Sequence, residues 1–182
     1  MPWWWHLLIF TATLLFFIGQ RGKSKALRLE SVGTRMKQAR EALDSALAAG
    51  DRSLEAKAHF DVGIAFQDSY SAPRRGEPPD YGPLRTALEH LCRARDVYAE
   101  LRNTDGQGLA LSNLGVIYSV MHRDDEAVAH LRSALSIAKT LNHPGWERST
   151  LNRLTRLLGE MGKGPEAIEL IKDHTFGRAS RT

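Results

Sequence analysis

The sequence predicts an all-α chain, with about three stacked helical hairpins behind an N-terminal membrane-spanning helix. Three observations predict it. Residues 111–141, LSNLGVIYSVMHRDDEAVAHLRSALSIAKTL, read as two amphipathic helices that meet at a tight turn. Ala87, Ala127 and Ala167 are spaced 40 and 40 apart, each followed four positions later by an apolar residue, Leu91, Leu131 and Ile171. Residues 3–19, WWWHLLIFTATLLFFIG, carry no charged side chain apart from the titratable His6.

That apolar run has 17 positions and as a helix spans roughly 25 Å, just enough to cross a membrane. Trp3, Trp4 and Trp5 stand at one end as interfacial anchors, and Arg21, Lys23, Lys25 and Arg28 follow the other. The excess of Lys and Arg after Gly19 keeps the remainder on the cytoplasmic side, giving a single-pass membrane protein with a cytoplasmic repeat domain. A cleaved signal peptide is the competing reading. Against it, no Lys or Arg precedes the run, and Phe16, Phe17 and Ile18 stand where small residues would mark a cleavage site.

Four segments follow. Residues 1–22 are the anchor or uncleaved signal, 23–50 a linker or capping helix, 51–174 the repeats, and 175–182 a flexible tail. In the second, Leu29, Val32, Met36, Ala39, Leu43 and Ala46 make an apolar stripe that Gly50 ends. Asp51 or Ser53 then caps a helix from Leu54 to about Ser69, with Ala58, Val62, Ala65 and Phe66 on one face and Gly63 where a neighbour comes close. Residues 71–82, SAPRRGEPPDYG, form a loop inside the first repeat, 51–102. Pro83 opens the next helix, which buries Ala87, Leu88, Leu91, Ala94, Val97 and Tyr98 and ends near Leu101. Asn103–Gly106 is a turn, and the remaining repeats occupy 106–141 and 145–174.

Leu111, Leu114, Gly115, Tyr118, Ala127, Leu131 and Ala134 fall at the signature positions of the tetratricopeptide repeat, and the chain resembles that family in its long form, similar to kinesin light chain and the LGN-type adaptors. The first repeat keeps Val62, Gly63, Phe66, Ala87, Leu91 and Ala94. The last keeps Leu151, Leu154, Leu158 and Ala167 but has Thr155 for the glycine and His174 for the final small residue. The resemblance implies a right-handed α-solenoid that binds a protein or peptide partner. The small residues have a physical reading of their own, since they let helices approach while Leu, Phe and Tyr fill the space between.

Totals and motifs narrow the chemistry. With 25 Lys plus Arg against 21 Asp plus Glu, and the excess near the termini, nucleic acid is not expected as a partner. One cysteine, Cys92, excludes an intramolecular disulfide and a multi-cysteine metal site, and reads as a small core residue. The seven histidines make no HExxH, and no GxxxxGK[ST], GxGxxG or GxSxG occurs. His90 and His130 share a repeat position, which repetition explains without a metal. Asp124, Asp125 and Glu126 open a helix, where capping and the helix dipole account for them. An enzyme is not expected, nor a cofactor, a metal or a small-molecule substrate.

In the family, the first helix of each hairpin lines the concave surface, and polar residues one position before the signature leucine face it. Here these are Asn113 and Arg153, with Asp61 in the first repeat. An Asn amide pairs with a peptide backbone and Arg forks onto a carboxylate. Both residues coincide with positions of the family's carboxylate clamp, but Phe60, Ile64 and Ser149 occupy its other positions. They cannot supply the lysines and asparagine of a chaperone-tail site. Gln107, Arg148 and Trp146 would widen the groove, with Trp146 equally readable as a core cap. The expected function is a membrane-anchored adaptor or scaffold. The alternative is an assembly factor or structural subunit of a larger membrane complex.

Overall fold

Five helix ends are built alike, and that repetition sets the architecture. In the computed structural model, which describes the backbone of residues 30–179 and the side chains of 30–174, Gly50, Arg102, His122, Asn142 and Gly162 adopt left-handed backbone, with φ of 66°, 55°, 56°, 50° and 73°. After each of them the next amide reaches back to a carbonyl five residues earlier: Asp51 to Ala46, Asn103 to Tyr98, Arg123 to Tyr118, His143 to Ala138 and Lys163 to Leu158, at 2.8–3.2 Å. This is the Schellman closure, which satisfies orphan carbonyls and turns the chain back on itself.

Between these turns lie α1 (30–49), α2 (Arg52–Ser69), α3 (Gly82–Glu100), α4 (Thr104–Val120), α5 (Asp124–Thr140), α6 (Pro144–Glu160) and α7 (Gly164–Ala179). No strand occurs among the described residues. From α4 onward each helix begins 20 residues after the last, so a hairpin is 40 residues long, as the spacing of the alanines predicts. Each helix packs on its sequence neighbours, in the manner of a solenoid. The break is between α2 and α3. There Tyr70 leaves α2 in extended conformation, and residues 71–80 are all exposed.

Two glycines set the hairpin spacing. A Cβ on Gly63 would lie 2.6 Å from Leu91 Cγ, and one on Gly115 would lie 2.7 Å from Leu131 Cγ, with the carbonyls of Ala87 and Ala127 at 3.3 and 3.2 Å. Leu91 is completely buried and joins Leu84, Ala87, Leu88, Leu114 and Ile117 in a core that spans α3 and α4. Leu131 joins Ala127, Leu135, Leu151, Leu154, Leu157, Leu158 and Ala167 in the next. A smaller cluster of Ala39, Leu43, Ala58 and Val62 seats α1 on α2.

Several expectations need correction. Ile171 is 47% exposed, whereas Leu91 and Leu131 are buried against the first helix of the following hairpin. The turn expected at Asn103–Gly106 is shorter, because Asn103 accepts from the Gly106 amide at 2.9 Å and starts α4 at Thr104. Asp51, accepting from the Ser53 and Leu54 amides, caps α2 and starts it at Arg52. Gly82 opens α3 with Pro83 just inside it, and α7 continues to Ala179, beyond the boundary drawn at 174. None of Asp124, Asp125 and Glu126 caps α5, whose N-cap is Arg123; instead Glu126 accepts from Arg123 at 2.6 Å and Asp125 faces Lys163 at 3.5 Å. Among the described residues no helix is long and apolar enough to cross a membrane, and the expected anchor at 3–19 lies outside them.

Candidate functional site

The first helices of the hairpins, α2, α4 and α6, carry all five residues the sequence singles out. Asn113, on α4, is half-buried, and its amide Nδ2 donates to the Leu109 carbonyl of its own helix at 2.9 Å, leaving its side-chain carbonyl and its second N–H to offer a ligand. Arg153, on α6, is exposed and crosses to α4, where Nη1 donates to Ser112 Oγ at 3.1 Å. The structure thus brings Arg153 to the residue beside Asn113. Asp61 is exposed on α2 and lines a groove of about 440 Å³ between α1 and α2, with Arg35, Gln38, Ala39, Ala42, Ile64 and Ala65. Arg153 lines a separate depression of about 140 Å³ between α4 and α6. Gln107, half-buried in the first turn of α4, and the exposed Arg148 line neither.

The α4–α6 depression has a composition of its own. Gly115, Val116, Val120, Leu131 and Leu157 give it an apolar floor, and Arg153 and Arg156 stand on one side. Sequence reasoning missed Val116 and Arg156, although each lies three residues after a residue it named and so on the same helical face. Trp146 does not widen a groove. Its ring lies against Gly108, where an added Cβ would overlap it and sit 2.8 Å from Ile137 Cγ2, so Trp146 caps the core.

Polar groups in the hairpins fall into register. Glu55 and Glu147 occupy the same repeat position, with Gln107 between them, and both carboxylates are buried. Arg52 and Arg93 reach Glu55 at 2.6 and 3.2 Å. Burial works to raise the Glu55 carboxyl, but the hydrogen bonds and charges of the two guanidinium groups outweigh it and hold it below the ordinary carboxylate range. Glu147 is met instead by His174 Nδ1, 2.9 Å away, from the position where the other repeats have Ala94 and Ala134. The imidazole therefore replaces helix contact with a polar one.

Histidines also pair with aromatics. His90 stacks on Phe66 with ring centroids 6.3 Å apart, and His130 stacks on Tyr118 at 5.2 Å. Burial pushes the pKa of both imidazoles down, as it does for His59, whose Nδ1 lies 2.9 Å from that of His90. Cys92 is half-buried against the α3–α4 core, and burial pushes its thiol up, away from nucleophilic character. Among the described residues no three His, Cys, Asp or Glu side chains gather to hold a metal ion.

No curated protein matches the chain. A family model for the tetratricopeptide repeat matches residues 109–144, which take in most of α4, all of α5 and the turn into α6. That match, on the hairpin with the regular glycine, alanine and leucine positions, supports the tetratricopeptide-repeat family and with it a role in protein–protein interaction.

Proposed function

We propose that the chain is a membrane-anchored scaffold whose helical array holds a carboxylate-bearing peptide segment of another protein at the cytoplasmic face. One observation carries the binding half of this reading. The α4–α6 depression joins an apolar floor of Val116, Val120 and Leu157 to the guanidinium groups of Arg153 and Arg156. Such a site takes an apolar side chain below and a carboxylate beside it. Asn113, one turn away, offers its side-chain carbonyl to a peptide amide. The apolar run at 3–19, with Trp at one end and Arg and Lys beyond the other, supports the anchor and its orientation. The 40-residue hairpin supports the long-repeat, right-handed superhelix of the kinesin-light-chain and LGN type. No catalytic role is assigned to it.

A photo-crosslinking residue at Val116, in native membranes, tests the groove. The expected result is one dominant protein adduct that falls on the order of tenfold when Arg153 and Arg156 are both changed to Ala. Equal adduct yield in the double variant would remove the groove from consideration. A reporter fused after Thr182 and found outside the cytoplasm would reverse the orientation.

A further inference from the structure

The first hairpin departs from the repeat pattern at one core position. His59 stands where the second and third hairpins have Leu111 and Leu151, both buried. A half-buried imidazole at a leucine position needs a hydrogen-bond partner. It has one in His90, on α3, whose counterpart in the second hairpin, His130, stacks on Tyr118. The His59 and His90 Nδ1 atoms are 2.9 Å apart, and the ring centroids 5.1 Å.

Two facing Nδ1 atoms at that distance fix the proton count. When both rings are neutral, one must carry its proton on Nδ1 and donate, while the other carries its proton on Nε2 and accepts. A first added proton goes to the donor's Nε2, the one lone pair outside the line between the rings, and that line still holds one N–H and one lone pair. A second added proton occupies the remaining lone pair. Both rings are then cationic donors with no acceptor between them, and they must separate.

The groups around the pair set what that separation moves. Glu55, on α2, favours charge on His59, but Arg52 and Arg93 already engage it, and Arg93 opposes that charge. Glu89, on α3, favours charge on His90, and Arg40, on α1, opposes it. Arg40 lies 5.2 Å over the Phe66 ring, on which His90 stacks. The pair, Phe66 and Arg40 therefore form one stack through α3, α2 and α1. Among the described residues α1 is also held by the cluster of Ala39, Leu43, Ala58 and Val62, by the buried Val32 and Ala46, and by the exposed Arg35–Asp68 ion pair at 2.8 Å.

We propose that the His59–His90 pair is an acid-sensitive latch, which holds α2 against α3 beneath α1 and releases α1 when a second proton enters the pair. The second hairpin is the internal control. His130 faces no second imidazole, because Leu111 stands where His59 would, and protonating it creates no donor–donor contact.

Hydrogen exchange on the full chain tests the latch, with protection factors corrected for the pH dependence of intrinsic exchange. Between about pH 7.5 and about pH 5, residues 30–69 are expected to lose protection on the order of tenfold more than residues 104–140. His59→Leu restores the residue of the other hairpins, and His90→Gln keeps a hydrogen bond without a second charge. Either variant, if folded at neutral pH, is expected to abolish the difference. Equal loss across both hairpins in the wild type would overturn the latch, as would an undiminished difference in both variants.

Discussion

Gly115 and Gly159 are both helical, yet their surroundings give opposite expectations for the same change. At Gly115 a methyl group meets Leu131 Cγ at 2.7 Å and the Ala127 carbonyl at 3.2 Å, and a backbone atom cannot swing aside. Gly115→Ala is expected to destabilise the array by about 1–3 kcal/mol, because overpacking exceeds the gain in helix propensity. Nothing lies within 4 Å of a Cβ on Gly159. Gly159→Ala is therefore expected to stabilise by up to about 1 kcal/mol, and thermal melting of the two variants checks both signs. Gly63 and Gly115 were legible in the sequence as points of close approach. His59 was not, because a single histidine among alanines looks like a helix surface until its register with Leu111 and Leu151 is drawn.

The hairpin turns are the elements that sequence reading resolved least well. Their left-handed residues, Arg102, His122, Asn142 and Gly162, recur every 20 positions, but only the last is a glycine, so composition hides the period. A residue with a Cβ costs about 1–2 kcal/mol in this conformation. His122→Gly is thus expected to raise stability by about 0.5–1 kcal/mol in denaturant unfolding, the strain relieved being partly offset by the freedom glycine gains in the unfolded chain. The boundaries moved for a related reason. Asp51 and Asn103 cap with side chains that also read as turn formers, and only their bonds to the Ser53, Leu54 and Gly106 amides show where the turn ends and the helix starts.

For the whole molecule, acidity should act in two steps. Burial lowers the pKa of His59, His90 and His130 from the ordinary 6.5, so the folded chain resists protons that the unfolded chain accepts. Their neutral forms leave stability intact above that value, and stability falls as pH drops below it toward the lowered folded values. Glu55 behaves as the usual carboxylate. Its lowered folded pKa contributes stability above the ordinary 4.5, which is lost as pH falls through the folded value. Melting temperature recorded against pH should therefore decline first near neutrality and again in the carboxylate range, and Glu55→Gln should flatten the second decline. The core of this molecule was largely readable, since three- and four-residue spacing and a 40-residue repeat specify helices and their burial. The binding surface was less so. Which of Asp61, Asn113 and Arg153 share a depression depends on how α1, α4 and α6 lie in space, and no spacing along the chain encodes that.

The uniform turns have a consequence for length. Because the chain reverses through the same closure at residues 102, 122, 142 and 162, a second copy of 104–143 placed after residue 143 would enter and leave through the same backbone turn. Among the described residues the segment that breaks this metre is 70–81, where α2 and α3 tolerate a dozen unpaced residues. The array is therefore extensible by whole units behind α3, and a chain lengthened in that way should fold with a melting point no lower than the original.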